Sequence, residues 1–96
     1  MRRTEPLPFG DLIHSWIKAA RLEGKLREIR IRNAWHEAMG KAISKQTGEV
    51  YLKDNVLIVH LRSAILRNEL QMRRQKILAL LKEKLGDEAP GGIVLR

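Results

Sequence analysis

The stretch "GEVYLKDNVLIVHLRS", residues 48–63, decides the fold. In its first half Val50 and Leu52 alternate with Glu49, Tyr51 and Lys53. Beyond Asp54-Asn55, Leu57, Val59 and Leu61 alternate with Val56, Ile58 and His60. A period of two puts each apolar set on one face of a strand. Asp and Asn tolerate the left-handed backbone of a tight turn, so the stretch predicts a β-hairpin turning at Lys53-Asp54-Asn55.

On both sides of the hairpin the period lengthens to that of a helix. Downstream, "LRSAILRNEL" (61–70) passes from strand to helix without a glycine. Leu66, Leu70, Ile77, Leu81 and Leu85 form an apolar stripe that predicts one helix from about Ala64 to Leu85, stopped by Gly86. Arg73 and Arg74 stand where that stripe should continue. "DEAPGG" reads as a loop, and "IVLR" as a short final strand that adds to the hairpin. Upstream, Asp11 is placed to cap a helix carrying Ile13, Trp16, Ile17 and Ala20 and ending at Gly24. "KLREIRIRNAWHEAMGKAIS" (25–44) predicts a second helix with Ile31, Trp35, Ala38 and Ala42 on one face, bent or interrupted at Gly40. Both tryptophans then belong to the core, and Phe9 staples the start of the first helix. The order α-α-β-β-α-β describes an α+β domain, residues 10–96, in which helices cover a small three-stranded sheet. Residues 1–9 read as a flexible arm.

Composition narrows the function. At 96 residues the chain supports one modest core, and its 44% hydrophobic content is enough to build it. With no cysteine there is no disulfide, thiol nucleophile or thiolate metal site, which fits a reducing compartment. "MRRTEPLPFG" is basic but has no apolar segment of a secretory signal, and no apolar run approaches the ~20 residues of a membrane span. A cytoplasmic protein is expected. His14, His36 and His60 fall on three different elements, and "HEAMG" lacks the second histidine of a zinc-protease helix. No glycine-rich phosphate loop, nucleophile elbow or carboxylate pair is present, so no catalytic, cofactor or metal site is expected.

The charge is more informative. The net charge is +8 and the pI about 10.5, a balance suited to nucleic acid, an acidic protein or an anionic surface. The basic excess is four over residues 1–32, one over 33–62 and three over 63–96, so it belongs to the helices and arm rather than the hairpin. Arg27, Arg30 and Arg32 cluster in "LREIRIR"; Arg67, Arg73, Arg74 and Lys76 cluster in the later helix. The guanidinium fork suits phosphate and carboxylate, and these seven are the candidate DNA contacts. Each also has a bland alternative as a solvated helix residue with a local ion pair, such as Glu69 with Arg73. Tyr51 alone among the aromatics points away from the apolar face, so base-specific readout is not expected.

Trp35, Gly40 and Thr47, spaced W-x4-G-x6-T, precede a hairpin whose second strand runs into "LRNEL". In this the chain, from about Asp11 to Arg96, resembles the DciA family of bacterial proteins. The resemblance implies a KH-like domain acting in DNA replication, non-enzymatic, assisting the loading of the DnaB-type replicative helicase and touching both helicase and DNA without sequence preference. The arm around Arg2 and Arg3 suits either partner. One feature departs from nucleotide-binding KH domains: no two glycines stand three apart, so the GxxG clamp is missing and contact moves to the basic helices. Two other functions fit the same sequence, a protein-interaction module that docks an acidic partner and an RNA- or ribosome-associated binder.

Overall fold

The computed structural model describes residues 8–96. The arm lies almost wholly outside the described residues, Arg2 and Arg3 included. The hairpin forms as the alternation demands. Strand β1 (Thr47–Lys53) pairs antiparallel with β2 (Val56–Leu61), with Val50 opposite Val59 and Leu52 opposite Leu57. Asp54 and Asn55 have φ of 51° and 64°, the two-residue turn whose twist matches its strands. One extra residue is taken up between Thr47 and Val50 as a bulge. The final strand, β3 (Gly92–Leu95), joins β2 in parallel, with Leu57 beside Ile93 and Val59 beside Leu95, giving a mixed sheet in the order β1-β2-β3.

Helices α2 (Ala64–Met72) and α3 (Arg74–Leu85) occupy the span expected for one helix. Ser63 caps α2, its Oγ accepting from the Leu66 N–H at 3.2 Å. The division falls at Arg73 (φ −108°, ψ 16°), where two arginines interrupt the apolar stripe. The stripe reaches the core from both sides of the break, Leu70 from α2 and Ile77 and Leu81 from α3. Gly86, at φ 60°, ends α3 as the sequence suggests, and a short 3-10 turn (Gly86–Glu88) follows.

The upstream half differs more. A single helix, α1, runs from Phe9 to Gln46, and its break falls at Gly40 rather than Gly24. Glycine permits a stop but does not impose one. Gly24 is flanked by Leu22, Glu23, Lys25 and Leu26, good helix formers with no proline after them, so the helix continues at a cost of about 1 kcal/mol. Asp11 sits in the first turn and not at the cap, which is Pro8. At Gly40 the backbone adopts φ 82°, ψ 176°, a region open essentially to glycine alone.

That kink explains the W-x4-G-x6-T spacing. Trp35 is fully buried, and its Nε1–H donates to Thr47 Oγ1 at 3.3 Å. The Thr47 hydroxyl in turn donates to the Ile43 carbonyl at 2.8 Å. Gly40 turns the chain so that the last short helical segment delivers Thr47 over the indole. A buried tryptophan N–H is thereby satisfied, as burial requires.

The core lies between the sheet and one stretch of α1 with α2 and α3. Ile31 and Trp35 of α1, Leu57 and Val59 of β2, and Leu81 of α3 are its most enclosed members. The first 18 or so residues of α1 have no such cover. A compact chain of this length has a radius of gyration of about 12–13 Å; here it is 18.1 Å, and the long axis is 62 Å. The segment Phe9–Leu26 projects about 27 Å beyond the sheet. Trp16, expected in the core, is 60% exposed on this projection, and Phe9 is 75% exposed rather than stapled.

Candidate nucleic-acid interface

The seven basic candidates divide into two groups with different chemistry. Arg27, Arg30 and Arg32 face the body of the domain. The Arg27 guanidinium donates through Nε to the Glu88 carbonyl at 2.9 Å. Through Nη2 it reaches Asn55 Oδ1 at 2.7 Å and the Ala89 carbonyl at 3.1 Å. It thus ties α1 to the hairpin turn and to the loop before β3. Asn55 completes the junction, its carbonyl accepting from the Gly91 N–H at 2.8 Å. A Cβ on Gly91 would come within 2.7 Å of Asn55 Nδ2, so only glycine fits that close approach without a shift.

Arg30 forms a forked pair with Glu88, Nε to Oε1 at 2.7 Å and Nη2 to Oε2 at 2.6 Å. The hydrogen-bonded guanidinium holds the Glu88 carboxyl below its ordinary range, and the carboxylate raises Arg30. Arg32 donates to the Val50 carbonyl at 3.3 Å, while Glu28 accepts the Leu52 N–H at 2.8 Å. These two side chains, one turn apart on α1, close the free hydrogen-bonding edge of β1.

Arg67, Arg73, Arg74 and Lys76 form the second group. Arg73, Arg74 and Lys76 stand where α2 gives way to α3, and Arg67 lies six positions earlier on α2; none has an ion-pair or hydrogen-bond partner among the described residues. Arg73, Arg74 and Lys76 are exposed, and Arg67 is half-buried. Met72, at 77% exposure, shares a shallow hollow with Arg73, Gln75 and Lys76. A groove runs from Gln75 along α3, lined by Leu78, Ala79, Lys82, Glu83 and the Pro90-Gly91 loop beside edge strand β3. Unpaired cations around an apolar floor can meet phosphates at the rim.

Among the described residues no group of histidines and carboxylates has the arrangement of a metal site. His36 Nδ1 is within 2.8 Å of Ser44 Oγ, and His60 stacks on Tyr51 across the open face of the sheet, ring centroids 6.1 Å apart. Among those residues no helix is long and apolar enough to cross a membrane.

The family model of DciA, described as the Dna[CI] antecedent, matches residues 8–95. The chain belongs to the DciA family. Membership implies a role of the DnaB helicase-loader type in replication, in a family of accessory proteins rather than enzymes. No curated protein matches the sequence. The match covers α1 from its first turn, so the projecting segment is part of the DciA domain and not an appendage to it. Sequence periodicity had shown that segment's apolar positions but assigned them to the core. They share one angular side with Ile31 and Trp35, a signal of one uninterrupted helix that does not tell what covers that side.

Proposed function

We propose that this DciA-family chain is a non-enzymatic replication accessory protein that holds DNA through phosphate contacts while it engages the DnaB-type helicase. A role beside the chromosome places it in the cytoplasm. The observation that carries the DNA part is the division among the basic residues. Arg27, Arg30 and Arg32 are engaged within the fold, whereas Arg67, Arg73, Arg74 and Lys76, on α2 and the start of α3, have no partner among the described residues. The proposed DNA surface is therefore narrowed to those four. With phosphate as the group they meet, binding is independent of sequence.

Fluorescence anisotropy across a salt series tests this on single- and double-stranded oligonucleotides. Four phosphate contacts give a slope of log K against log salt of about −3 for single strands and somewhat steeper for duplex. Arg73→Ala with Arg74→Ala lowers affinity and flattens the slope by about 1.4 on single strands and about 1.8 on duplex, since each phosphate-contacting cation contributes roughly 0.7–0.9. Unchanged affinity in the double variant would remove these arginines from the interface.

A further inference from the structure

The face of α1 that packs on the sheet does not stop where the sheet stops. At about 100° per residue, Phe9, Leu12, Ile13, Trp16, Ile17 and Ala20 lie on the same side of the helix as Ile31, Ala34 and Trp35. The last three are buried, whereas Phe9, Trp16 and Ile17 are exposed. A second exposed strip, Leu22, Leu26 and Ile29, follows helical spacing along an adjoining side. Together the apolar positions span about two-thirds of the circumference, and the remaining arc carries His14, Lys18, Arg21 and Lys25 with Asp11. Glu23 and Arg27 cross the first side between Ala20 and Ile31, so the apolar residues of Phe9–Ala20 form a patch of their own beyond the core. Scattered exposed hydrophobics are ordinary, but a patch of this kind, with a tryptophan and a phenylalanine in it, marks a contact with another molecule.

The geometry selects the occupant. A second copy laid antiparallel covers a single strip, because a helix meets a helix along a stripe of about 100°. Over some 27 Å such a contact falls below the ~1,200 Å² of a stable specific interface, and the other strip stays in water. A concave groove reaches both strips. Its rim then meets Lys18, Arg21 and Lys25, so the rim is acidic and the floor apolar. Trp16, in the middle of the segment, is the residue type that dominates such contacts.

The position of the segment also fits a two-partner protein. Its root is fixed by Arg27 to the hairpin turn and to the Glu88-Ala89 loop, just past the C-terminal end of α3. Arg73, Arg74 and Lys76 lie at the N-terminal end of α3, about 18 Å away along that helix. Both ends can be occupied at once.

We propose that Phe9–Leu26 is a docking helix, received by an apolar, acid-rimmed groove on the replicative helicase; this rests on the helicase-loading reading above. The test titrates the full chain against the purified DnaB-type helicase of the same organism by biolayer interferometry. Leu12→Ala with Trp16→Ala retains the helix, since alanine is the best helix former and neither side chain belongs to the core. Helicase affinity falls about 30-fold or more, while DNA affinity and the far-UV CD stay as in the wild type. Lys18→Glu with Arg21→Glu, which leaves the apolar face intact, also weakens the complex, and more so at low salt. Equal helicase affinity in the wild type and the alanine variant overturns the docking helix and leaves the loading reading standing. A wild-type dimer in sedimentation that the alanine variant dissolves gives the surface to a second copy and overturns the groove. No helicase binding by the wild type overturns the loading reading, and the assignment of the groove with it.

Discussion

Arg27→Ala separates a structural arginine from a DNA-contacting one. In the native fold its guanidinium donates to two backbone carbonyls, Glu88 at 2.9 Å and Ala89 at 3.1 Å, and to Asn55 Oδ1 at 2.7 Å. The Asn55 contact is exposed, so water replaces it at little cost. The two carbonyl contacts are partly buried, and a hydrogen bond from a charged donor contributes about 1.5–3 kcal/mol when protected from water. Discounting both for partial access to water leaves a loss of about 2–3 kcal/mol, to which the packed aliphatic stem adds a little. For a domain of this size each kcal/mol moves the melting temperature by about 4–8 °C, so Tm falls by roughly 10–20 °C. In urea the midpoint falls by about 1–3 M, given m of about 1–2 kcal/mol/M for a chain this small. Trp35, fully buried over the sheet, supplies the fluorescence signal. Arg73→Ala is the comparison: the side chain is exposed, has no hydrogen-bond or ion-pair partner among the described residues, and its loss shifts stability by no more than about 0.5 kcal/mol. A loss below about 0.5 kcal/mol for Arg27→Ala, with DNA affinity reduced as much as by Arg73→Ala, would refute the division of the arginines.

The same contacts yield further expectations. Gly40→Ala forces a side chain into φ 82°, ψ 176° and lowers stability by about 1–3 kcal/mol, although a Cβ there meets nothing; chemical denaturation measures it, and a neutral result removes the conformational argument. Thr47→Val leaves the Trp35 N–H and the Ile43 carbonyl without their shared partner and costs about 1–3 kcal/mol, with a shift in the Trp35 emission maximum. Glu88 has a lowered pKa in the fold, so its contribution is present above the ordinary glutamate value of about 4.3 and is lost as pH falls through the folded value. Melting curves from pH 7 to pH 2 therefore show the wild type losing its advantage over Glu88→Gln on the acid side, and parallel curves would discount the Arg30–Glu88 pair.

How much of this was legible in the sequence depended on what each element packs against. The hairpin was readable to the turn residue because strand register is a local property: one face is buried, and a slip of one position would expose Leu57, Val59 and Leu61. The third strand followed because a short apolar run had one sheet to join. Helix boundaries were harder. Gly24 and Gly40 look alike as letters, but only Gly40 has a partner arrangement, Trp35 over Thr47, that demands a turn. Gly24 keeps helical backbone geometry, and the helix runs through it. At Arg73 the two arginines in the stripe were visible, but the backbone break there (φ −108°, ψ 16°) has no glycine or proline to announce it.

The candidate site was legible as a set of residue types and not as a set of roles. Seven cations were equivalent in sequence because the partners of three lie far along the chain: Glu88 is 61 positions from Arg27 and 58 from Arg30, and Val50 is 18 from Arg32. Only the fold brings those carbonyls and carboxylates to the arginines, and in doing so it removes them from the pool available to phosphate. Trp16 shows the converse. Its apolar neighbours made it a core residue by periodicity, yet periodicity reports the existence of a face and never what covers it. The sheet is three strands wide and ends near Asn55 and Gly91, so it has no more surface to offer the first half of α1. A helix longer than its own domain's layer leaves the rest of its apolar face for another molecule, which places this chain's partner-facing surface at one end and its free cations at the other.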